Sequence, residues 1–387
     1  MKMRRSTGRE LVLTPDTKDK SITFEKSAVL GTDQPIRFNG GKDFVQTFDL
    51  ETGWNWVSFN VKSEKQIDMN TLLSSMTWME GDMVTDLTSD TTLVFKNNQW
   101  MASGNPANML ISPKKSYAFK VQKDGKFLLG GTAIKEKDDR TITVHPGWNG
   151  IGYTPMTNLT VETALSDYYD QAEEGDVIKS HTEFAYFTKS GNTGHWRGSL
   201  QTLKPGEGYM MLRRGSADAT FTYPFFEQTN HFSGAAAVPM RTALMAPSTM
   251  NISAVVKGFD VEEGDRLVAY SDGEVVGTAD LVTLDDGGTM TRSSLPATGF
   301  FLSIAGDSQK PIWFAIEREG ETVASTKEIM TFQKNAVLGS PKAPTAIRFI
   351  QDEYENGEWY TIAGVKLQQK PTQQGVYIYN GRKVVVK

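Results

Sequence analysis

The chain has 387 residues, of which 39% are hydrophobic and 22% charged, and its net charge is −5 at pH 7. This balance is typical of folded globular domains, and the length predicts about two to four of them. The acidic charge without a basic stripe argues against nucleic acid and against an anionic membrane surface as partners. No apolar run approaches the roughly 18 residues that a transmembrane helix needs.

The chain contains no cysteine, which excludes disulfides, zinc–thiolate sites and cysteine nucleophiles. Such a chain is typical either of a cytosolic protein or of a bacterial exported protein, and the β-rich pattern described below favours export. The first ten residues, MKMRRSTGRE, lack the apolar core of a signal peptide. We therefore expect any signal of an exported protein to lie upstream of this sequence.

Residues 22–38, ITFEKSAVLGTDQPIRF, nearly repeat residues 330–349, MTFQKNAVLGSPKAPTAIRF. Each copy alternates apolar and polar residues, turns at Gly31 or Gly339, and resumes, which predicts two short strands around a bend. The second copy closes a long β-like module, so the first should close an equivalent one. We predict that residues 1–48 are the terminal strands of a truncated β-sandwich module and that the chain begins inside a repeat.

A second repeat lies between these copies. GWNWVSFNV begins at Gly53 and GWNGIGYTP at Gly147, while EGDMV begins at Glu80 and EGDVI at Glu174, with the same spacing. The segment LISPKKSYAF of the first copy likewise matches TLKPGEGYMM of the second, and the motifs follow the same order in both copies. We therefore predict two tandem copies of one GWN module, residues 49–145 and 146–225.

Each copy has one helix candidate, over residues 68–76 and 159–169, where apolar residues recur three and four positions apart. Thr160 is placed to cap the second helix at its N-terminus. The other segments alternate or are bounded by Gly, Asp and Ser, which is typical of strands.

Residues 234–350 contain a series of strand candidates that predicts an Ig-like β-sandwich. Asp272-Gly273 is a hairpin signal within this module. After an acidic linker, residues 351–387 form a short tail with strands at Trp359–Ile362, Val376–Tyr379 and Lys383–Val386 and a hairpin turn at Asn380-Gly381. The predicted fold class is mainly β and multidomain: two repeated β-rich units, a sandwich and a C-terminal β-hairpin tail.

The tail, with its motifs YTIAGVKL, GVYIYNG and KVVVK, resembles the C-terminal sorting domains of Bacteroidetes proteins exported by the type IX secretion pathway. The GWN strands, LKPGEGY and GDRLVAYSDGEVVGTADL are similar to modules of large Bacteroidetes surface proteins. The resemblance implies an exported or surface-attached protein whose tail is recognised by the secretion machinery, with the linker 350–357 as the place for any cleavage. It implies no catalytic residue in this chain.

The residues of chemical interest fit no catalytic or metal-binding pattern. No metal-ligand spacing joins the histidines, there is no Gly-x-Ser-x-Gly, and there is no phosphate loop. We interpret the repeated Glu-Gly-Asp motifs as turns, with Gly at positive φ and Asp bonded to its own backbone. Calcium binding by the acidic stretches 86–90 and 284–288 is the weaker alternative. No cofactor or metal is predicted. The histidines are His145, His181, His195 and His231.

Tryptophans cluster in the GWN units, where their rings could either fill cores or stack on sugars. Trp54 matches Trp148 and Trp100 matches Trp196 across the repeat, which favours core positions. Alternation along WNWVSFNV puts large apolar groups on both faces, which predicts a strand buried on both sides. The candidate ligand residues are Trp56, Trp100 and Trp196; Trp56 is preferred because the second copy has Gly150 at that position.

Three functions compete. The favoured one is a non-catalytic structural or adhesion protein, extracellular or on the outer cell surface, with host or surface glycans or proteins as partners and the secretion machinery engaging the tail. The second is a carbohydrate-binding region of a larger secreted enzyme or lectin-like protein, which an exposed aromatic platform would favour. The third, a hydrolase, needs two carboxylates about 5–10 Å apart in a cleft; the protein is not predicted to be an enzyme.

Overall fold

The computed structural model describes residues 2–4, 10–12, 14–15, 38–39, 43–226, 248–284, 298–349 and 358–386, apart from 64–65, 75, 103–104, 107–108, 192, 307–308, 327–329, 370 and 380–381. The chain is mainly β and multidomain, which confirms the predicted fold class. Two short pairs lie near the start, Lys2–Arg4 with Glu10–Val12 and Thr14–Pro15 with Phe38–Asn39. Most of the predicted closing segment 22–38 lies outside the described residues.

The first GWN unit contains two sheets on either side of an aromatic core. In spatial order, its larger sheet consists of Asn105–Pro106, Gln99–Ala102, Thr92–Lys96, Met83–Asp86, Ser116–Val121 and Gly53–Ser58. Its smaller sheet consists of Asp43–Leu50, Gly125–Ala133 and Val61–Lys62. Phe48, Phe59, Phe119 and Phe127 are buried between them.

The second GWN unit repeats this topology. In the same spatial order, its larger sheet consists of Thr193–Gly198, Phe184–Ser190, Val177–Lys179, Tyr209–Arg213 and Gly147–Ile151. Thr141–Val144 pairs with Ala219–Thr222, and Leu159–Thr160 pairs with Thr202–Leu203. The strands that share sequence motifs therefore occupy equivalent places in the two sheets.

Both units contain the predicted helix, although in shortened form. In the first unit, Met69–Leu73 is capped by Asp68, whose side chain accepts a hydrogen bond from the amide of Thr71. In the second, Val161–Ala164 is capped by Thr160 as expected and continues into the 3₁₀ turn Ser166–Gln171. A further helical turn, Lys137–Arg140, lies between the units and was not predicted.

Strand pairing crosses the two domain boundaries that the sequence motifs suggested. Asp43–Leu50 pairs along Gly125–Ala133, so the first unit begins before residue 49. Thr141–Val144 pairs with a strand of the second unit, so that unit begins before residue 146. The strands that precede the two GWN motifs carry no repeated motif of their own, so the motifs do not show that these strands pair with the units that follow them.

The third module is a two-layered sandwich around one apolar core. Its first sheet contains Val282–Thr283, Thr298–Gly306 and Ser248–Lys257, with Val337–Leu338 and Thr345–Arg348 both parallel to Ser248–Lys257. Its second sheet contains Glu274–Asp280, Arg266–Ser271, Pro311–Arg318 and Glu321–Ser325, with Met330–Thr331 alongside Pro311–Arg318.

The hairpin predicted in the sandwich at Asp272-Gly273 is present. Both residues have positive φ, 51° and 83°, as a type I′ turn requires. Ser271 lies opposite Glu274 across the turn.

The tail forms a sheet of Lys366–Leu367, Trp359–Thr361, Gly375–Tyr379 and Arg382–Val386, in that spatial order. The predicted hairpin is thus part of a larger sheet, with Trp359 buried against Tyr377. Residues 380 and 381 lie outside the described part, but Tyr379 is opposite Arg382 in the ladder. Among the described residues, no helix is long and apolar enough to span a lipid bilayer.

Candidate functional site

The asparagine side chain of each GWN motif bonds the backbone of the residue four positions before it. The side chain of Asn55 accepts from the amide of Glu51 at 3.0 Å and donates to the carbonyl of Glu51 at 2.7 Å. Asn149 makes the same two bonds to His145, at 2.9 and 2.7 Å. The preceding glycines, Gly53 and Gly147, have φ values of 107° and 94°, which favour a residue without Cβ. The GWN motif therefore begins a strand, and its asparagine fixes the turn that leads into that strand.

The three Glu-Gly-Asp motifs form one turn, as predicted. Gly81, Gly175 and Gly264 all have φ of 92°. In each turn the aspartate side chain accepts from the amide three residues before it, at 2.8 Å for Asp82, 2.9 Å for Asp176 and 2.8 Å for Asp265. In the third copy, the hydrogen bond from the Arg318 guanidinium is the main cause that lowers the pKa of Asp265. These carboxylates therefore bond their own backbone and are not grouped in a cleft.

The two GWN units dock through reciprocal backbone hydrogen bonds. The amide of Ser58 donates to the carbonyl of Gly206 at 3.0 Å, and the amide of Gly152 donates to the carbonyl of Lys114 at 2.9 Å. Ser58 ends the GWN strand of the first unit, and Gly152 directly follows that of the second. Lys114 and Gly206 lie at equivalent positions of the two Pro-containing loops. Each unit therefore offers the same strand end and the same loop to the other.

Two serines of the first unit strengthen this contact. The Ser58 hydroxyl donates to the carbonyl of Glu207 at 2.6 Å and accepts from the amide of Tyr153 at 3.1 Å. The Ser116 hydroxyl donates to the carbonyl of Ile151 and accepts from the amide of Tyr209 at 2.9 Å. Both serines are fully buried, so these bonds satisfy backbone groups that water cannot reach.

The second unit has Gly152 at the position of Ser58 and Gly208 at the position of Ser116. Neither glycine has room for a side chain. A Cβ on Gly152 would lie 1.9 Å from the carbonyl oxygen of Pro113, and one on Gly208 would lie 2.8 Å from the amide nitrogen of Val57. Neither distance is tolerable for a real side chain. The docking faces of the two units therefore have equivalent backbone positions, with serine on the first face and glycine on the second.

The predicted ligand residues Trp56, Trp100 and Trp196 are all buried, with exposed fractions of 4%, 2% and 6%. Trp100 and Trp196 lie in the cores of their units, against Phe95 and Phe187 at 5.3 and 5.1 Å between ring centroids. A ring enclosed by protein offers no face to a sugar, so this placement does not support a ligand role for the three residues.

Trp56 lies between the units instead of in a unit core. It packs in a cluster with Trp54, Leu87, Ala118 and Met210, the last of which belongs to the second unit. Gly150, the counterpart of Trp56, allows Leu87 to approach, since a Cβ there would lie 2.8 Å from the Leu87 Cβ. The strand is buried on both sides, as its alternation predicted.

The sandwich packs on the second unit through another apolar cluster. Val177, Phe184 and Leu212 of the second unit contact Leu284 and Phe301 of the sandwich. The rings of Phe184 and Phe301 meet edge to face at 5.7 Å. All three modules are therefore held together by buried contacts.

One buried cation lies where the three modules meet. The Lys179 ammonium group is 2.8 Å from Asn335 Oδ1 and 2.9 Å from Thr249 Oγ1, both in the sandwich. It is 4.3 Å from the ring centre of Trp148 in its own unit and 5.9 Å from that of Trp56 in the first unit. We call Lys179, Trp56, Trp148, Thr249 and Asn335 the three-module junction.

Burial is the main cause that lowers the pKa of Lys179, to about 7, and the nearby charge of Lys334 lowers it further. The side chain is completely buried. Sequence reasoning missed this residue, although a charged residue in the apolar strand Val177–Lys179, at the position of Thr85 in the first unit, was a usable signal.

The histidines and acidic stretches are not assembled into a site within the described residues, where no group of three or more metal-ligating side chains occurs. His145 pairs with Asp218 at 2.8 Å on the surface, and the His181 ring packs on Trp56. In the stretch 86–90, Asp86 caps the turn through the amide of Thr88 and pairs with Lys115 at 2.6 Å. His231 and residues 285–288 lie outside the described part.

An aromatic pair on the sandwich was also missed by the sequence analysis. Tyr270 and Trp313 lie opposite each other on adjacent strands and stack with 4.3 Å between ring centroids. Both are partly exposed, and the Tyr270 hydroxyl donates to Glu317 at 3.0 Å. The two residues are far apart in the sequence, so no local motif could have indicated that their rings stack.

No protein-family model matches the chain, and no curated protein or solved structure is significantly similar to it. Its role is therefore inferred from the geometry of the three-module junction and of the docked units.

Proposed function

We propose that the chain is a non-catalytic structural or adhesion protein, exported or attached to the outer cell surface, in which docked β-modules fix the shape of the molecule. The observation that carries this proposal is the reciprocal docking of the two GWN units. A protein whose repeated units bury polar and apolar groups against each other presents its outer loops at fixed distances.

The roles of the repeated residues support the same proposal. The motif residues Asn55, Asn149, Asp82 and Asp176 bond backbone groups and so specify turns. Repetition of turn-forming residues conserves shape from one unit to the next. A fixed shape with several outer surfaces suits multivalent attachment, since linked weak contacts add in avidity.

A binding survey of the full chain tests this proposal. We expect saturable binding to host-matrix proteins or surface glycans on an array, with no conversion of polysaccharide, peptide or ester substrates in parallel assays. Small-angle scattering should fit one rigid particle. Turnover of a substrate by the purified chain, or scattering typical of freely moving modules, would contradict the proposal.

A carbohydrate-binding region is the second candidate, and the Tyr270–Trp313 pair favours it. Partly exposed aromatic rings beside a carboxylate provide stacking and hydrogen bonding to sugars. If the pair binds sugar, Trp313→Ala should abolish glycan-array signals while Val323→Ala, at an exposed position on the neighbouring strand Glu321–Ser325, leaves them unchanged. Equal signals from both variants would argue against this candidate.

Export through the tail is supported by the sequence resemblance alone. We propose that residues 351–387 are recognised by a type IX secretion machinery. A reporter protein fused to these residues should be exported by a bacterium that has this pathway, and a fusion lacking Gly375–Val386 should stay inside. Retention of the complete fusion would contradict this assignment.

A further inference from the structure

The junction holds the Lys179 ammonium with dipoles instead of with a counter-charge. Its three acceptors are the Thr249 carbonyl at 3.3 Å, the Thr249 hydroxyl at 2.9 Å and Asn335 Oδ1 at 2.8 Å, all from the sandwich. The Trp148 ring covers a further side, and its indole nitrogen donates to the Asn335 carbonyl at 3.1 Å. All three acceptors are uncharged, so they bond the amine of Lys179 without placing a negative charge beside it.

A charged group in this place lacks the usual compensation. In the part of the chain that the structure describes, no carboxylate lies within ion-pair distance of Lys179, and Lys334 of the sandwich repels it. A buried cation without a counter-ion is costly, because it loses the hydration that it has in water. Separation of the sandwich from the second unit would restore that hydration.

We propose that Lys179 is a proton-sensitive latch of the three-module junction, which takes up a proton when the sandwich separates from the second unit. Protonation of Lys179 then weakens the docking of the sandwich on the second unit, and deprotonation strengthens it. This inference rests on the docking geometry and holds whether or not the protein is an adhesin.

The direction follows from proton linkage. Burial lowers the pKa of Lys179 from 10.5 to about 7 in the docked molecule, whereas a hydrated lysine keeps its ordinary value. Between these two values the separated state binds a proton that the docked state lacks, so docking strengthens as pH rises. Below pH 7 both states are protonated, and this residue adds no further pH dependence.

Other titratable groups border the junction and must be separated from Lys179 in any measurement. They belong to all three modules: His181 and Tyr186 to the second unit, Asp90 and Lys120 to the first, and Lys334 to the sandwich. Asp90 and Lys334 also form an ion pair at 3.9 Å between the first unit and the sandwich.

The test follows docking in the full chain at several pH values. Since the chain has no cysteine, dyes can be attached through Ser216→Cys in the second unit and Glu274→Cys in the sandwich, both of which are exposed. Urea titrations at pH 6, 7, 8 and 9 report the ratio of docked to separated molecules through energy transfer. We expect this ratio to rise by up to about tenfold per pH unit above pH 7 and to change little below it.

A matched pair of variants assigns the effect to Lys179. Lys179→Met should remove the rise, while Lys96→Met, at an exposed strand end of the first unit, should retain it. The difference between the wild type and Lys179→Met cancels the contribution of the other titratable groups. If Lys179→Met does not fold, the ¹³Cε resonance of Lys179 in the wild type gives the answer directly: a midpoint near 7 supports the latch, and one near 10 overturns it. An unchanged rise in Lys179→Met also overturns it.

Discussion

The two GWN units have the same topology but differently built cores. The core of the first contains several phenylalanines, including Phe59, alongside aliphatic residues, whereas the core of the second has the buried tyrosines Tyr153, Tyr168 and Tyr223. What the two units share is the polar bonding of the turns through Asn55 and Asn149 and through the Glu-Gly-Asp motifs. The comparison shows that residues bonding to backbone are fixed by the turn geometry, while the filling of the core can change if its volume is kept.

A second difference lies at the docking face. The first unit contributes the hydroxyls of Ser58 and Ser116, and the second contributes the bare backbone of Gly152 and Gly208. The two units therefore share the hydrogen bonds of their turns, but one unit could not replace the other at the docking face.

The largest expected effects test the claim that the paired tryptophans are core residues. Trp100→Ala and Trp196→Ala should each reduce the free energy of unfolding by about 3–5 kcal/mol, because each leaves a large cavity. The ring next to each tryptophan is inclined to it by 59° in both units, which predicts similar losses. Urea unfolding measures both. A stable Trp100→Ala or Trp196→Ala variant that loses only glycan binding would restore the ligand interpretation.

The next effect tests the difference between serine and glycine at the docking face. Gly152→Ala should destabilise the docked units by about 3 kcal/mol, since its methyl group would meet the Pro113 carbonyl. Unfolding of the variant by urea, with scattering to detect separated units, measures this. The control is Gly191→Ala, where an added Cβ meets nothing within 4 Å and only the positive φ of 61° opposes it. Equal losses in the two variants would show that the close approach is unimportant.

A smaller loss is expected from the hydroxyls. Ser58→Ala and Ser116→Ala should each cost about 1–3 kcal/mol, because each leaves a buried amide and a buried carbonyl with one partner fewer. Similar values for the two variants would confirm the reciprocity of the face. Thermal unfolding measures both losses, and Ser216→Ala, at an exposed bend, should be nearly neutral in the same assay.

The smallest effect distinguishes the Glu-Gly-Asp turns of the two GWN units. Glu80 accepts from the amide of Asn97 at 2.8 Å, and Glu174 accepts from that of Lys189 at 2.5 Å. Glu174 alone also pairs with Lys342 of the sandwich, at 3.1 Å. Glu174→Gln should therefore cost about 0.5 kcal/mol more than Glu80→Gln at low salt, and the difference should vanish in 1 M salt. A difference that persists in high salt would contradict an ion-pair origin.

Much of each unit could be predicted from the sequence because its turns use residues with special backbone requirements. The positive φ at Gly81 and Gly175 and the Thr160 cap follow from local chemistry alone. The helix ends were overestimated, since the predicted segment 159–169 contains a change from α-helix to a 3₁₀ turn that apolar spacing does not reveal. The prediction of residues 22–38 as closing strands stays a prediction.

The junction could not be predicted because it depends on contacts between modules. Trp56 was proposed as a ligand residue because the second copy of the repeat has Gly150 at this position. The structure places Trp56 at the contact between the two GWN units. Sequence spacing alone cannot tell whether such a side chain contacts a neighbouring unit or a ligand. Lys179 and the Tyr270–Trp313 pair were missed for the same reason, because their partners lie on distant segments.

The reciprocal contact between the GWN units has a consequence for how such proteins can grow. When two like units exchange the same patch with each other, the contact is isologous, as in a two-fold symmetric dimer, and the patch is used up on both sides. Ser58 meets the Gly206 loop while Gly152 meets the Lys114 loop, so neither unit keeps a free copy of this surface for a third. A longer protein made from these units would have to add them as complete couples joined through other faces, as the sandwich is joined here.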